Sequence, residues 1–167
     1  LQPHVLNVRD TISGVTDLLR RLSGEEIKIE IQNTSEQGLI FADESQLEQI
    51  LVNLVVNARD AMPRGGKLSI RTANMVLTQP LVRGGEVVPP GNWISIEVED
   101  TGVGIPPEIL SRIFEPFFST KAIGQGTGLG LATVYGIVKQ TGGYVFVDTA
   151  VGSGSIFRLL FPRHIDT

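Results

Sequence analysis

The chain has 167 residues, 41% of them hydrophobic, with 19 Gly, 9 Pro and no Cys. That is enough apolar material for one buried core and excludes pervasive disorder. The lack of cysteine excludes a disulfide framework, a thiolate metal site and a thiol nucleophile. Fourteen Lys+Arg against 18 Asp+Glu leave a net charge of −4, so no basic excess draws the chain to nucleic acid. No apolar run approaches the roughly 18 residues of a membrane span, and the first residues do not show the charged-then-apolar pattern of a signal segment.

Residues 1–7 read as a linker remnant, and the start at Leu1 without Met points to a piece of a longer protein. Val8, Ile12, Val15, Leu19 and Leu22 recur at steps of four and three, one stripe of an amphipathic helix. Asn7 is its expected cap and Gly24 its end. Two short alternating runs, 27–31 and 39–42, predict strands. A longer helix over 44–62 starts at Asp43, with Gln46 three residues on, and buries Leu47, Ile50, Leu51, Leu54, Val55, Ala58 and Met62. Pro63 to Gly66 stop it. Strands over 67–72 and 93–100 flank a connection rich in Pro and Gly, read as a long hairpin or an excursion. Pro106-Pro107 opens a short helix to about Ile113, and a glycine-rich stretch leads into a helix over 129–140. Strands over 144–149 and 155–161 follow, with 163–167 as a tail. Late strands paired as hairpins favour an α/β sandwich with helices on one face of a mixed sheet over a parallel βαβ fold.

Three features carry chemistry. Asn53 and Asn57 sit one turn apart on the second helix, although asparagine is an indifferent helix former. They either face solvent or point amide oxygens into a site, and a neutral oxygen suits Mg²⁺. Ile94, Ile96 and Val98 form the apolar row of the next long strand, and Asp100 continues it. A carboxylate there either caps the following turn or receives hydrogen bonds from something buried. Thr101-Gly102-Val103-Gly104 follows at once, with glycines that let a ligand approach the backbone. Gly124-Gln125-Gly126-Thr127-Gly128-Leu129-Gly130-Leu131 opens the third helix, either a flexible loop or a backbone cradle for phosphate. A dinucleotide fingerprint is excluded by Leu131 and a Walker loop by Leu68 after Gly66-Lys67.

In this order, Asn-x-x-x-Asn-Ala, Asp-x-Gly-x-Gly and Gly-Thr-Gly-Leu-Gly-Leu resemble the asparagine and two glycine boxes of the GHKL ATP-binding family. That family joins histidine kinases, type II topoisomerases, chaperones and mismatch-repair proteins. Phe114-Glu115-Pro116-Phe117-Phe118-Ser119-Thr120-Lys121 resembles the phenylalanine box of sensor histidine kinases. The resemblance runs over 8–162 and implies the two-layer α/β sandwich of the Bergerat fold as a catalytic ATP-binding domain. It implies ATP and Mg²⁺ as ligands, with Asp100 accepting from the adenine amino group and Asn57 on the metal. Asn53 then faces the phosphates, and Gly102 and Gly104 lie under base and ribose. Gly126, Gly128 and Gly130 donate backbone N–H to phosphate, with Lys121 adding charge. Ser155 supplies a hydroxyl that helps hold Asp100, and Ile105, Phe117, Thr127, Leu129 and Leu131 complete the lining. The stretch 106–126 would be a lid over nucleotide.

Hydrolytic members carry a glutamate one turn before the metal asparagine; here that residue is Asn53, which fits phosphoryl transfer to a side chain rather than to water. Many histidine kinases carry a lysine where this chain has Asp60; the resemblance places Asp60 among the nucleotide-binding residues and leaves Lys121 or Arg59 as the phosphate-contacting cation. Neither His4 nor His164 sits in a phosphoacceptor context. The resemblance therefore implies a cytoplasmic histidine kinase domain acting on a histidine of a separate dimerisation domain, with a receiver domain downstream. The alternatives are a GHKL serine kinase or anti-sigma-type module, and a non-catalytic nucleotide-binding regulatory domain. The phenylalanines either pin the lid to the core or dock on the dimerisation helices. Asn57 to Met62 with Phe-Phe-Ser-Thr-Lys is similar to the nitrogen-regulator and alphaproteobacterial cell-cycle hybrid branch, in which a cyclic dinucleotide regulates this domain. Trp93, on the non-core face of its strand, and Arg83 are the expected stacking groups for such an effector, with ordinary strand packing as the other reading of Trp93.

Overall fold

The computed structural model describes residues 2–36, 38–118 and 130–165. The chain enters through β1 (His4–Asn7), then α1 (Val8–Ser23), β2 (Ile27–Asn33) and β3 (Leu39–Ala42). Asn7 caps α1 by accepting from the Arg9 amide at 3.0 Å, and Gly24 ends it at φ +85°. β1 pairs antiparallel with β3, His4 opposite Ala42. Residues 4–7 are thus a strand of the domain rather than the linker expected for 1–7, because Leu6 drops into the core beside Ile40. The expected tail is also tied in, since the Arg163 and His164 amides donate to the Asn92 and Leu39 carbonyls at 3.0 and 2.7 Å.

Helix α2 (Glu44–Ala61) starts where Asp43 accepts from the Ser45 and Gln46 amides at 2.9 and 3.3 Å. Those bonds satisfy N–H groups that lack a helical partner. Beyond it come β4 (Gly66–Leu77), the small hairpin β5 (Leu81–Arg83) and β6 (Glu86–Val88), and β7 (Gly91–Asp100). The expected connection over 73–92 is therefore mostly strand. α3 (Pro107–Leu110), α4 (Gly130–Gln140), β8 (Tyr144–Ala150) and β9 (Gly154–Pro162) complete the described order.

The sheet runs β2-β4-β7-β9-β8, parallel at β2–β4 and antiparallel elsewhere. Its even row on β7 (Ile94, Ile96, Val98) packs with Leu51, Leu54 and Val55 of α2 and with Val134 and Val138 of α4. Each fully buried leucine there contributes roughly 2 kcal/mol. The opposite face carries a smaller cluster of Val88, Trp93, Phe146 and Leu160 under the β5–β6 hairpin. Beside it lies a ladder of ion pairs. This is the mixed α/β sandwich, helices on one face, that the motifs imply.

Candidate nucleotide site

The helix-facing row of β7 ends at Asp100, which is 3% exposed. Its Oδ1 accepts from the Gly102 amide at 2.9 Å, and the backbone of Ser155, directly across in β9, also hydrogen-bonds the carboxylate. Burial pushes this carboxyl above the usual range, helped by the charge of Glu99 and opposed by the two backbone bonds. A carboxylate has about four acceptor sites. Two backbone bonds leave capacity for a donor from outside the chain.

The turn after Asp100 is gripped from two sides. The Val103 amide donates to the Ala61 carbonyl at the end of α2 (3.0 Å), and the Gly152 amide donates to the Val103 carbonyl (2.8 Å). The Ile105 amide donates to Thr149 Oγ1 at 2.9 Å. A Cβ on Gly102 would strike the Ala61 carbonyl, and one on Gly104, at φ +76°, would strike the Ala150 carbonyl. These positions were expected to be glycine to admit base and ribose. The structure gives another reason: the space beside each α-carbon is filled by the chain's own backbone.

Asn53 and Asn57 are half-buried on α2. Asn53 Oδ1 accepts from Gln49 Nε2 at 2.6 Å and its Nδ2 donates to the Gly130 carbonyl at 3.1 Å. Asn53 therefore latches α2 to the first residue of α4. Asn57 makes no side-chain hydrogen bond among the described residues, so its amide oxygen is available to a ligand. A single neutral oxygen, with the remaining positions left to water and phosphate, fits Mg²⁺. Asp60 is exposed and paired with Arg59 at 3.3 Å. Arg59 also donates to the Leu22 carbonyl at 3.2 Å, which turns it toward α1.

A Cβ on Gly130 would meet nothing within 4 Å among the described residues, and Leu131 packs on the main core. Lys121, Gly124, Gly126, Thr127, Gly128 and Leu129 lie outside the described residues. The phenylalanines divide. Phe114 packs against Tyr135 and Phe157 (ring centroids 5.3 and 6.4 Å), and Phe118 lies under Arg112 at 4.5 Å. Phe117 stands 76% exposed at φ +66°, a conformation disfavoured for a bulky residue.

Two expectations need correction. The Ser155 hydroxyl contacts Thr149 Oγ1 at 2.8 Å, and Ser155 holds Asp100 through its backbone instead. Trp93 is 6% exposed, T-stacked on Tyr144, with its Nε1 donating to the Pro89 carbonyl at 3.1 Å. Arg83 is engaged by Asp148 and the Val147 carbonyl and lies 5.3 Å from the Phe146 ring centre. The β5–β6 hairpin thus covers the face on which a planar effector was expected to stack. Sequence reasoning missed Thr149. Its signal was a pair of hydroxyl residues, Thr149 and Ser155, flanking the turn of a late hairpin.

The family described as histidine kinase-, DNA gyrase B-, and HSP90-like ATPase matches residues 42–165. The chain belongs to this family. It is 46% identical over 166 residues to sensor kinase CckA of Brucella abortus (strain 2308), covering 99% of this chain and 18% of that protein. Sporulation kinase A of Bacillus subtilis (strain 168) is 33% identical over 163 residues, covering 95% and 23%. Among solved structures, the mycobacterial sensor histidine kinase MprB superposes with TM-score 0.74 at 26% identity, over 97% of this chain and 98% of that one. Full-length ShkA in complex with AMPPNP gives 0.76 at 28% identity, over 100% and 32%. The chain spans about a fifth of the length of these curated relatives. Fold, family and relatives agree on a histidine-kinase-type ATPase domain.

Proposed function

We propose that this domain binds ATP with Mg²⁺ and donates the γ-phosphoryl group to a histidine on a separate dimerisation domain, in cis or in trans. The observation that carries it is Asp100, a buried carboxylate with spare acceptor capacity, beside a helix that presents Asn53 and Asn57. Asp100 accepts from the exocyclic amine of adenine, a bond strengthened by the dry surroundings of the carboxylate. Asn57 ligates the metal, which neutralises phosphate charge when bound. Asn53 has no basic lone pair at neutral pH, so it orients phosphate without activating water. The imidazole nitrogen of the partner supplies the nucleophile; an N–P bond forms as the bond to the β-phosphate oxygen breaks, and ADP leaves. Lys121 and the glycines at 126, 128 and 130 complete the phosphate contacts in this reading, with Thr127 and Leu129 between them.

A cytoplasmic parent kinase passing its phosphoryl group to a receiver domain follows from the same reading. The test is a mixture of this chain, a purified dimerisation domain of a relative, and ATP, scored for acid-labile phosphohistidine. Phosphate should appear on the dimerisation domain, and this chain alone should incorporate none, since its two histidines sit at the ends. Rapid labelling of the chain by itself would falsify the assignment.

A further inference from the structure

Thr149 has no place in the sequence-based site, yet three elements meet at its hydroxyl. Oγ1 lies 2.9 Å from the Ile105 amide, 3.1 Å from the Gly154 carbonyl and 2.8 Å from the Ser155 hydroxyl. A hydroxyl has one proton and two lone pairs. An amide can only donate and a carbonyl can only accept. The Thr149 proton therefore goes to Gly154, and both lone pairs receive, one from Ile105 and one from the Ser155 O–H. This is the only assignment that satisfies all three contacts. It fills the valence of Thr149 and fixes the rotor of Ser155.

We propose that Thr149 is a positioning residue for nucleotide binding, coupling the turn after Asp100 to the β8–β9 hairpin through one hydroxyl. Among the other bonds gripping that turn, those from Val103 to Ala61 and from Gly152 to Val103 are made by backbone atoms, while Thr101 Oγ1 accepts from the Lys67 amide at 3.1 Å and so ties the turn to β4 rather than to β9. Thr149 is the point at which a side chain sets how the turn sits against β9, and β9 supplies Ser155, whose backbone holds the Asp100 carboxylate. Without the hydroxyl, the Ile105 amide loses its acceptor and the Ser155 hydroxyl is free to rotate. Both changes loosen the frame around Asp100. The inference rests on the nucleotide reading of that site.

The experiment compares Thr149→Val, which keeps the shape and removes the hydroxyl, with Thr149→Ser, which keeps the hydroxyl. ADP affinity is measured by calorimetry, and exchange of the Ile105 amide by NMR. Losing the bonds of one hydroxyl should raise the ADP Kd about tenfold in Thr149→Val. The serine variant should stay within about twofold of the parent. Ile105 should be protected in the parent and in the serine variant, and should exchange faster in the valine variant. Parental affinity in Thr149→Val, or no rescue by serine, would overturn the proposal, the latter marking a purely steric role. If the valine variant does not fold, a fast-exchanging Ile105 amide in the parent chain overturns it equally. Failure of the parent itself to bind ADP while Ile105 is protected would instead sink the nucleotide reading, and this inference with it.

Discussion

Asp100 and Glu97 lie three residues apart on β7 and face opposite sides of the sheet, and their surroundings push them in opposite directions. Asp100 is buried at the helix-facing end with only backbone donors among the described residues, and burial raises its pKa. For Glu97 burial also acts upward, but hydrogen bonds and charge from Arg158 and Arg71 outweigh it and hold the group below the usual range. Glu97 belongs to a closed ladder in which Arg71 also reaches Glu99 (2.7 Å) and Arg158 also reaches Asp148 (2.6 Å). The open face spends its charges on one another. The helix-facing end keeps a carboxylate desolvated and incompletely bonded, an arrangement that costs stability and is suited to a ligand.

The largest effect should come from breaking the frame around Asp100. Gly154 sits at φ +88°, where a Cβ would strike the Asp100 carbonyl, and Gly104 meets the Ala150 carbonyl at φ +76°. Either Gly→Ala change adds left-handed strain to a backbone clash, for roughly 3–5 kcal/mol together. Thermal unfolding should shift down on the order of 10 °C. The same change at Gly84, at φ +59° in the exposed β5–β6 turn with open space around it, should cost only about 1 kcal/mol of strain. Equal losses at Gly84 and Gly104 would mean that the turn after Asp100 is not specially held.

Asn57→Ala tests the other component of the same end. The side chain is half-buried and makes no hydrogen bond among the described residues, so stability should change by less than about 0.5 kcal/mol. Phosphotransfer to a dimerisation domain should fall by at least about 100-fold, near 2.7 kcal/mol of transition-state stabilisation. Asn53→Ala should behave differently, lowering stability by about 1 kcal/mol because its amide ties α2 to Gly130. A variant at Asn57 that unfolds early yet still transfers phosphate would reverse the assignment of the two asparagines.

Much of this was legible in the residues, for identifiable reasons. The α1 and α2 stripes and the even row of β7 follow from side-chain periodicity, which burial enforces directly. Asp43, Asn7 and Gly24 announce helix ends through local hydrogen bonding and backbone freedom. What escaped was set by contacts distant in sequence. Strand β1 exists because β3 lies beside it, some 35 residues later. The glycines at 102 and 104 answer to carbonyls at Ala61 and Ala150, which no local pattern reveals. Trp93 looked available for stacking because the β5–β6 hairpin that covers it could be read only as a connection. Ser155 was given the wrong atom, since the register that sets its backbone opposite Asp100 frees its hydroxyl for Thr149.

Acid separates the two faces by sign. Burial raises the pKa of Asp100 in the folded chain above the ordinary aspartate value, so its ionisation opposes folding at neutral pH and that penalty is relieved as pH falls through the raised value. Nucleotide affinity should move the other way, because a protonated carboxyl no longer accepts fully from an amine. Binding of ADP should therefore weaken at a pH above the ordinary aspartate range, while Asp100→Asn should bind weakly and without this dependence. Glu97 and Asp148 are lowered, so their contributions are complete above the unfolded values and are lost as pH falls through the folded ones. A parent chain whose ADP affinity fell only within or below the usual aspartate range would show that Asp100 is not held in the dry setting described here.

The smallest effect belongs to the ladder itself. Glu97→Gln removes the charge that joins Arg71 to Arg158, yet each arginine keeps a second carboxylate, Glu99 and Asp148 respectively. The side chain of Glu97 is 22% exposed, so water screens part of what is lost. Because the glutamine still offers one oxygen to the guanidinium groups, the cost should be about 1 kcal/mol or less, diminishing further in high salt. Denaturant unfolding at low and high ionic strength measures both quantities. ADP affinity should stay unchanged, since the substituted row faces away from Asp100. A Glu97→Gln variant that lost nucleotide binding while remaining folded would show that the two faces of β7 are coupled, and that the ladder holds the strand end on which Asp100 sits.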